Sequence, residues 1–324
     1  FIRDNGFIGM IINKKYGGLG FSALGHSTVL QKLASRSVTV AATVAVPNSL
    51  GPAELLHQYG TVEQKEHYLP RLAAGTDIPC FALTGPSAGS DATSIPDTGV
   101  VCKRKFEGKE QLGILLNFDK RYITLAPVAT VVGLAFQMSD PEGLIGDKEH
   151  LGITLALIPR ETKGLEIGNR HNPLDVMFMN GPVRGQDVFI PMSYLIGGEK
   201  MIGHGWKMLV ECLSVGRAIS LPSCSTGGAK MVLFATGAYA RIRKQFNMPI
   251  GRFEGIEEAL SEMAGLTYTS AATSTMTALA VDQGEIPAVP SAIAKMHATD
   301  MSRTIISHAM DIHGGKGIIQ GPRN

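Results

Sequence analysis

Phe81 to Asp91 reads FALTGPSAGSD, and its residue types suit an anion. Gly85, Pro86 and Gly89 impose a tight turn, Ala88 and Ser90 are small enough to let a ligand approach the backbone, and Thr84 and Ser90 add hydroxyl donors. Alone, a Gly/Ser/Thr turn after an apolar run is most often only a turn. A second stretch, NFDKRYIT (Asn117 to Thr124), puts Tyr122 and Thr124 two apart, hence on one face of a strand. Without further context that pair is an ordinary half-buried sheet face. In YARIRKQF (Tyr239 to Phe246), Arg243 and Phe246 are three apart and would share a helix face. A guanidinium and a ring so placed can hold a pyrophosphate and stack an adenine, although a solvated helix end carrying Arg241, Arg243 and Lys244 reads the same way.

These residues need a scaffold, and the chain is long enough to supply one. Its 324 residues suggest about two or three domains. Hydrophobic residues make up 44% and charged residues 18%, an ordinary globular composition with ample core material. Thirty basic residues against 28 acidic give a net charge of +2 with no block of like charge, so nothing points to nucleic acid. Cys80, Cys102, Cys212 and Cys224 are widely spaced without a CxxC pair and read as reduced thiols of a cytoplasmic protein. The nine histidines show no metal-binding spacing. The longest apolar runs, such as Val38 to Val46, are too short to span a bilayer, and no signal peptide is visible. The opening at Phe1 and the stop at Asn324 suggest a fragment.

The first eighty residues read as mostly helical. Ser22 is a candidate cap for a helix from Ala23 to Ser35, and Thr61 caps another that ends near Pro70. Val38 to Val46 fits a strand or a buried helix equally. Short Val/Ile/Thr-rich runs then recur at Gly99–Phe106, Leu112–Asn117, Arg121–Thr124, Val128–Met138, Ile153–Ile158 and Asp187–Ile190, the pattern of an antiparallel sheet or barrel. Helix returns at Trp206, with spans predicted at Lys207–Ser220, Gly228–Phe246, Glu254–Asp282 and Ser291–Ile312. Four long helices suggest a bundle, and Gly314-Gly315-Lys316-Gly317 stops the last. The fold class is therefore α+β. A helical segment (residues 1–79) leads to a middle β domain (80–195), and a C-terminal four-helix bundle (196–324) follows.

This order of parts resembles the acyl-CoA dehydrogenases, and the signatures match in sequence. TGPSAGSD resembles the family's T-E-P-x-A-G-S-D, NFDKRYIT its N-G-x-K-x-W-I-T, YARIRKQF its Y-A-x-x-R-x-x-F, and DIHGGKG its Q-x-x-G-G-x-G. The match covers essentially the whole chain. Wording such as VPNSLGPAELL, IPDTGVVC and LVECLSVGR is most similar to the large bacterial long-chain members of fatty-acid degradation, which are longer at both ends.

The resemblance implies FAD, an acyl-CoA substrate, and removal of an α proton and a β hydride to give the trans-2-enoyl-CoA of fatty-acid β-oxidation. Negative charge then grows on the flavin and on the thioester oxygen, so the site must offer donors and exclude water. Phe81, Leu83 and Thr84 would line the flavin, with Gly89 and Ser90 at its pyrophosphate; Ser90 would also touch substrate. Tyr122, where the family usually has Trp, would pack on the ring system, and the Thr124 hydroxyl would reach its N5. Arg243 and Phe246 would reach the FAD of a neighbouring subunit, making a homo-oligomer part of cofactor binding. Gly315 would admit that same FAD, while Asp311 replaces the usual Gln and sets a carboxylate beside a pyrophosphate. Arg217 matches an arginine at the substrate site, and a buried structural ion pair is the competing reading. Gly85 stands where the family has Glu, a change read as neutral to catalysis.

The family's base is a glutamate. One of its two known places is occupied here by Gly216, and the other would fall beyond Asn324, so the catalytic Glu is expected outside this sequence. Glu211 and Glu262 are better read as solvated helix carboxylates, and His313 as a cap. Electrons would leave to an electron-transfer flavoprotein or an equivalent acceptor. Three alternatives stay open: an acyl-CoA oxidase or flavin monooxygenase on the same fold, a catalytically silent flavin- or acyl-CoA-binding protein, and a helix–sheet–helix protein without flavin. A longer protein's association with membrane is also open.

Overall fold

The computed structural model describes residues 1–49, 51–285, 288–319 and 321, without the side chains of 213–215, 217, 218 and 288. Its helices are α1 (Ala23–Ala34), α2 (Val38–Ala45), α3 (Pro52–Tyr59), α4 (Val62–Ala73), α5 (Gly205–Ile242), α6 (Glu254–Asp282) and α7 (Ala288–His313). Its strands are β1 (Pro79–Ala82), β2 (Thr98–Phe106), β3 (Lys109–Thr124), β4 (Val131–Ser139), β5 (His150–Pro159), β6 (Leu165–Ile167), β7 (Asn180–Pro191), β8 (Lys244–Gln245) and β9 (Met248–Pro249). Two compact units emerge: Phe1–Phe21 with Thr43–Leu213, and Ser22–Ala42 with Ser214–Asn324.

The first unit is built on a seven-stranded sheet in the order β1-β4-β2-β3-β7-β6, with β5 also on β4. The antiparallel arrangement expected from the sequence holds for most pairs. It is interrupted where β4 runs parallel to both β1 and β2, so the sheet is mixed. Leu112–Asn117 and Arg121–Thr124 are one strand, β3, rather than two. Ile114, Leu116, Leu134, Phe136, Val188 and Ile190 fill the core on one side of the sheet. On the other, Leu55, Leu56, Leu69 and Leu72 of α3 and α4 pack with Ala135, Leu155 and Leu157. Thr61 and Gln64 form a reciprocal capping box at the start of α4, and the Gln64 amide also donates to Leu195 O at 2.6 Å. A helix start and a strand exit are thereby pinned by one side chain.

The second unit packs α1 with α5, α6 and α7. Lys207–Ser220 and Gly228–Phe246, expected as separate helices, are parts of the 38-residue α5, which continues through Pro222 and the Gly227-Gly228 pair. Packing overrides the two helix breakers here. A Cβ on Gly227 would sit 2.3 Å from Gln31 O, so glycine is what lets the α1 backbone lie against α5. The seam is polar: Ser27 pairs with Ser223 and Thr226 with Ser270, each at 2.7 Å with both partners buried. Ser22 caps α1 by accepting from Gly25 N, and Asp282 accepts from Ala23 N and Leu24 N. In α6, Met263 is buried, with Ile256, Leu260 and Leu266 half-buried around it, the face expected from the sequence.

Candidate functional site

The first and second motifs meet in the structure. β1 delivers Phe81 to the sheet edge, and the chain leaves it through Leu83 and Thr84, all three half-buried. The Phe81 ring lies over Gly133, where an added Cβ would come within 2.5 Å of it. Arg121 N donates to Thr84 O at 2.9 Å, and Lys120 Nζ donates to Leu83 O at 2.9 Å. The turn that follows is closed by Gly85 N donating to Ala88 O. Beyond it Gly89 and Ser90 are exposed, and nothing lies within 4 Å of where a Gly89 Cβ would sit. Among the described residues, no backbone N–H of Ser87, Gly89 or Ser90 is taken by another group of the chain. Small residues, open space and unclaimed donors leave this turn open to an anion.

Lys120 and Asp97 were not singled out in the sequence. Both side chains are fully buried and ion-paired, and Asp97 also accepts from Asp119 N at 3.0 Å. Burial pulls the Lys120 ammonium below its ordinary pKa, and the Asp97 carboxylate works against that shift. A lysine inside a motif full of exposed polar residues carries no signal of burial; strand alternation with Phe118 was the available clue.

A bulge between Lys120 and Ile123 then breaks the alternation. Tyr122 takes φ 60°, in the left-handed region, and is 64% exposed. Tyr122 and Thr124 flank buried Ile123, as their spacing predicts, but the bulge is what turns them away from the side occupied by Lys120. Asn180, opposite Thr124 on β7, donates to Tyr122 O at 2.8 Å and to Thr124 Oγ1 at 3.4 Å. The His171 ring packs against Tyr122, centroids 5.3 Å apart. Neither Asn180 nor His171 was flagged by the sequence, since neither lies in a recurring motif.

The third and fourth motifs meet at one end of the second unit. Tyr239 stacks on His313 at 4.3 Å with the rings 18° from parallel. That contact, not a capping hydrogen bond, is what His313 makes. Burial lowers its pKa, with Lys316 adding to the effect. Arg243 and Phe246 do not share a helix face. α5 ends at Ile242, and Phe246 with Asn247 forms the two-residue tip of the β8–β9 hairpin, both at positive φ. The right-handed twist of a tight hairpin demands that geometry, and it ends the helix four residues earlier than expected. Phe246 is 90% exposed, its ring edge-on to Phe253. Arg243, Asp311 and Gly315 are exposed. Arg217 lies outside the described side chains. Glu211 is not a free solvated carboxylate: it accepts from the Tyr59 hydroxyl and lies near Lys207. Glu262 is likewise engaged, by His308 at 3.0 Å. Among the described residues no cluster could hold a metal ion.

Residues 2–76 match the family described as "Acyl-CoA dehydrogenase, N-terminal domain", and residues 203–323 match "Acyl-CoA dehydrogenase, C-terminal domain". Protein HemX of Proteus mirabilis is 62% identical over 104 residues, covering 32% of this chain, which spans 61% of that protein's length. Probable acyl-CoA dehydrogenase YngJ of Bacillus subtilis is 30% identical over 97% of this chain and 78% of its own. Among solved structures, butyryl-CoA dehydrogenase of Megasphaera elsdenii superposes with a TM-score of 0.85 at 25% identity, over 98% of this chain and 79% of that one. An FAD complex of PigA gives 0.80 at 25% identity, over 98% and 79%. The open Gly89–Ser90 turn, the outward-facing Tyr122 ring and the Thr124 hydroxyl suit the pyrophosphate, ring system and polar edge of FAD. With its helical start, β middle and helical end, the chain belongs to the acyl-CoA dehydrogenase family of FAD-dependent oxidoreductases.

Proposed function

We propose that the protein dehydrogenates an acyl-CoA between its α and β carbons, with a long acyl chain as substrate, within fatty-acid β-oxidation. The observation that carries this reading is the joining of the Thr84–Ser90 turn to the Tyr122–Thr124 strand end through Lys120 and Arg121. FAD, when bound, supplies the two-electron acceptor. Thr84 and Thr124 would hold it by hydrogen bonds from their hydroxyls, Tyr122 would pack on its ring, and Gly89 and Ser90 would receive its pyrophosphate. Phe81 and Leu83 keep water from the reacting carbons. Arg243, Phe246, Asp311 and Gly315 form a second FAD contact, made across an oligomer. The exposed Phe234, Tyr268 and Phe246 rings support such an association. Ser90 and Arg217 meet the acyl-CoA. We assign the proton-abstracting carboxylate to no residue of this sequence.

The matched segments 2–76 and 203–323 support reading residues 1–79, 80–195 and 196–324 as three successive parts. An electron-transfer flavoprotein is the proposed acceptor. Four free cysteines support a reducing, cytoplasmic setting, and among the described residues no helix is long and apolar enough to cross a membrane. Chain length rests on the wording of several segments, whereas the solved relative named above acts on butyryl-CoA. Anaerobic titration of the FAD-loaded protein with palmitoyl-CoA and butyryl-CoA separates the readings. Perturbation of the visible flavin band at lower palmitoyl-CoA concentration is expected. The reverse order overturns the long-chain assignment, and no response to either overturns the acyl-CoA reading.

A further inference from the structure

The Tyr122 carbonyl can only accept, so the Asn180 amide nitrogen that meets it at 2.8 Å fixes the orientation of that amide. The same nitrogen has a second proton, directed to Thr124 Oγ1 at 3.4 Å. The Asn180 oxygen therefore faces the other way, 2.8 Å from His171 Nδ1, which must carry the proton between them. Asn180 is 7% exposed, and its backbone carbonyl also accepts from His171 N at 2.8 Å, so the two residues are tied twice. The directions along this chain are all set: His171 donates to Asn180, and Asn180 donates to Tyr122 and Thr124. A hydroxyl that accepts from Asn180 keeps its own proton for another acceptor.

We propose that Asn180 and His171 are positioning residues that hold the Thr124 hydroxyl as a donor toward the flavin. This rests on the placement of Thr124 at flavin N5 in the proposed function. In oxidised flavin N5 is a lone-pair acceptor, and after reduction it bears a proton and no longer accepts. The Thr124 hydroxyl therefore favours binding of the oxidised form. Without Asn180 as donor, that hydroxyl can turn inward and the preference weakens. Asn180→Asp inverts the polarity, since a carboxylate accepts a hydrogen bond from the Thr124 hydroxyl instead of donating one.

The test measures the Kd of apoprotein for oxidised FAD by quenching of flavin fluorescence, in wild type, Asn180→Asp, Thr124→Val and the double variant. Each single variant is expected to weaken binding about five- to tenfold, the worth of one net hydrogen bond, with the double no weaker than Thr124→Val alone. The reduction potential of bound FAD should rise in Thr124→Val, which removes the preference for the oxidised form without adding a charge. Equal additive losses, or wild-type affinity in Asn180→Asp, overturn the relay alone. Wild-type affinity and potential in Thr124→Val overturn the placement of Thr124 and the relay with it. If Asn180→Asp does not fold, His171→Phe keeps a ring beside Tyr122 and removes the Nδ1 donor to Asn180. A loss of the same sign, absent in the Thr124→Val background, supports the proposal, and none overturns it.

Discussion

Lys120 reaches through the buried interior to donate to the Leu83 carbonyl oxygen at 2.9 Å, while its ion partner Asp97 holds the Asp119 amide. One buried charge pair thus fastens the strand exit of the first motif to the strand end of the second. Lys120→Met leaves Asp97 charged and unpaired in the core. It should destabilise the first unit by about 3–5 kcal/mol in urea unfolding. Adding Asp97→Leu should recover part of that loss, because the double change removes the orphaned charge. A double variant less stable than Lys120→Met would refute the ion-pair account.

Gly89 separates ligand binding from folding. Its Cβ position is open and its φ lies outside the left-handed region, so Gly89→Ala should leave Tm within about 1 °C of wild type. The added methyl occupies the approach to the pyrophosphate, and FAD affinity should fall at least about tenfold. Titration with FAD beside a thermal melt checks both halves. A lower Tm with normal affinity would show that the glycine serves the fold.

The hairpin tip works the other way. A left-handed aromatic residue is strained by about 1–2 kcal/mol, and the exposed Phe246 ring returns little by burial. Phe246→Gly should therefore keep or slightly raise the stability of the isolated chain while weakening FAD binding and oligomer formation. Sedimentation with and without FAD reads the second effect. Unchanged assembly and affinity would remove Phe246 from the cofactor contact.

His26 gives the second unit an acid limit. It is 1% exposed, its Nε2 has no partner among the described residues, and burial pushes its pKa down to about 4 from 6.5. Between those values the unfolded chain binds the proton that the folded chain refuses, so stability falls as pH drops from 6.5 toward 4. The full shift corresponds to about 3 kcal/mol. His26→Gln should flatten that part of the pH profile of urea midpoints. A slope unchanged by the substitution would place the acid sensitivity elsewhere.

Much of this was legible in the chain. Glu254–Asp282 could be bounded from its apolar periodicity because α6 depends on its own pattern, and Thr61 announced its cap through Gln64. The four motifs found the family because they carry backbone requirements that recur. What escaped were features set by distant partners. α5 crosses Pro222 and two glycines because α1, some 190 residues earlier, packs on Gly227. Val38–Val46 became helix α2, although the apolar run alone fits either state. Arg243 and Phe246 lost their shared face to a hairpin that needs positive φ at Phe246 and Asn247, neither of which is glycine. Asn180 and His171 gained meaning only when β7 was laid beside β3 in register.

The polar seam of the second unit has a consequence during synthesis. α1 leaves the ribosome with Ser27 facing partners in α5 and α6 that are still untranslated. At about 5–20 residues per second, the wait from α1 to Ser223 lasts roughly 10–40 s. Leu30, which the fold buries completely, is exposed for that time, and each further apolar residue on this face would add to the hazard of aggregation. A seam of serines and threonines is satisfied by water meanwhile, and its paired hydroxyls choose the register once the late helices arrive. The small hydroxyl residues between these helices thus act as a timer-tolerant joint, trading burial strength for safety on a chain that must hold one helix in reserve.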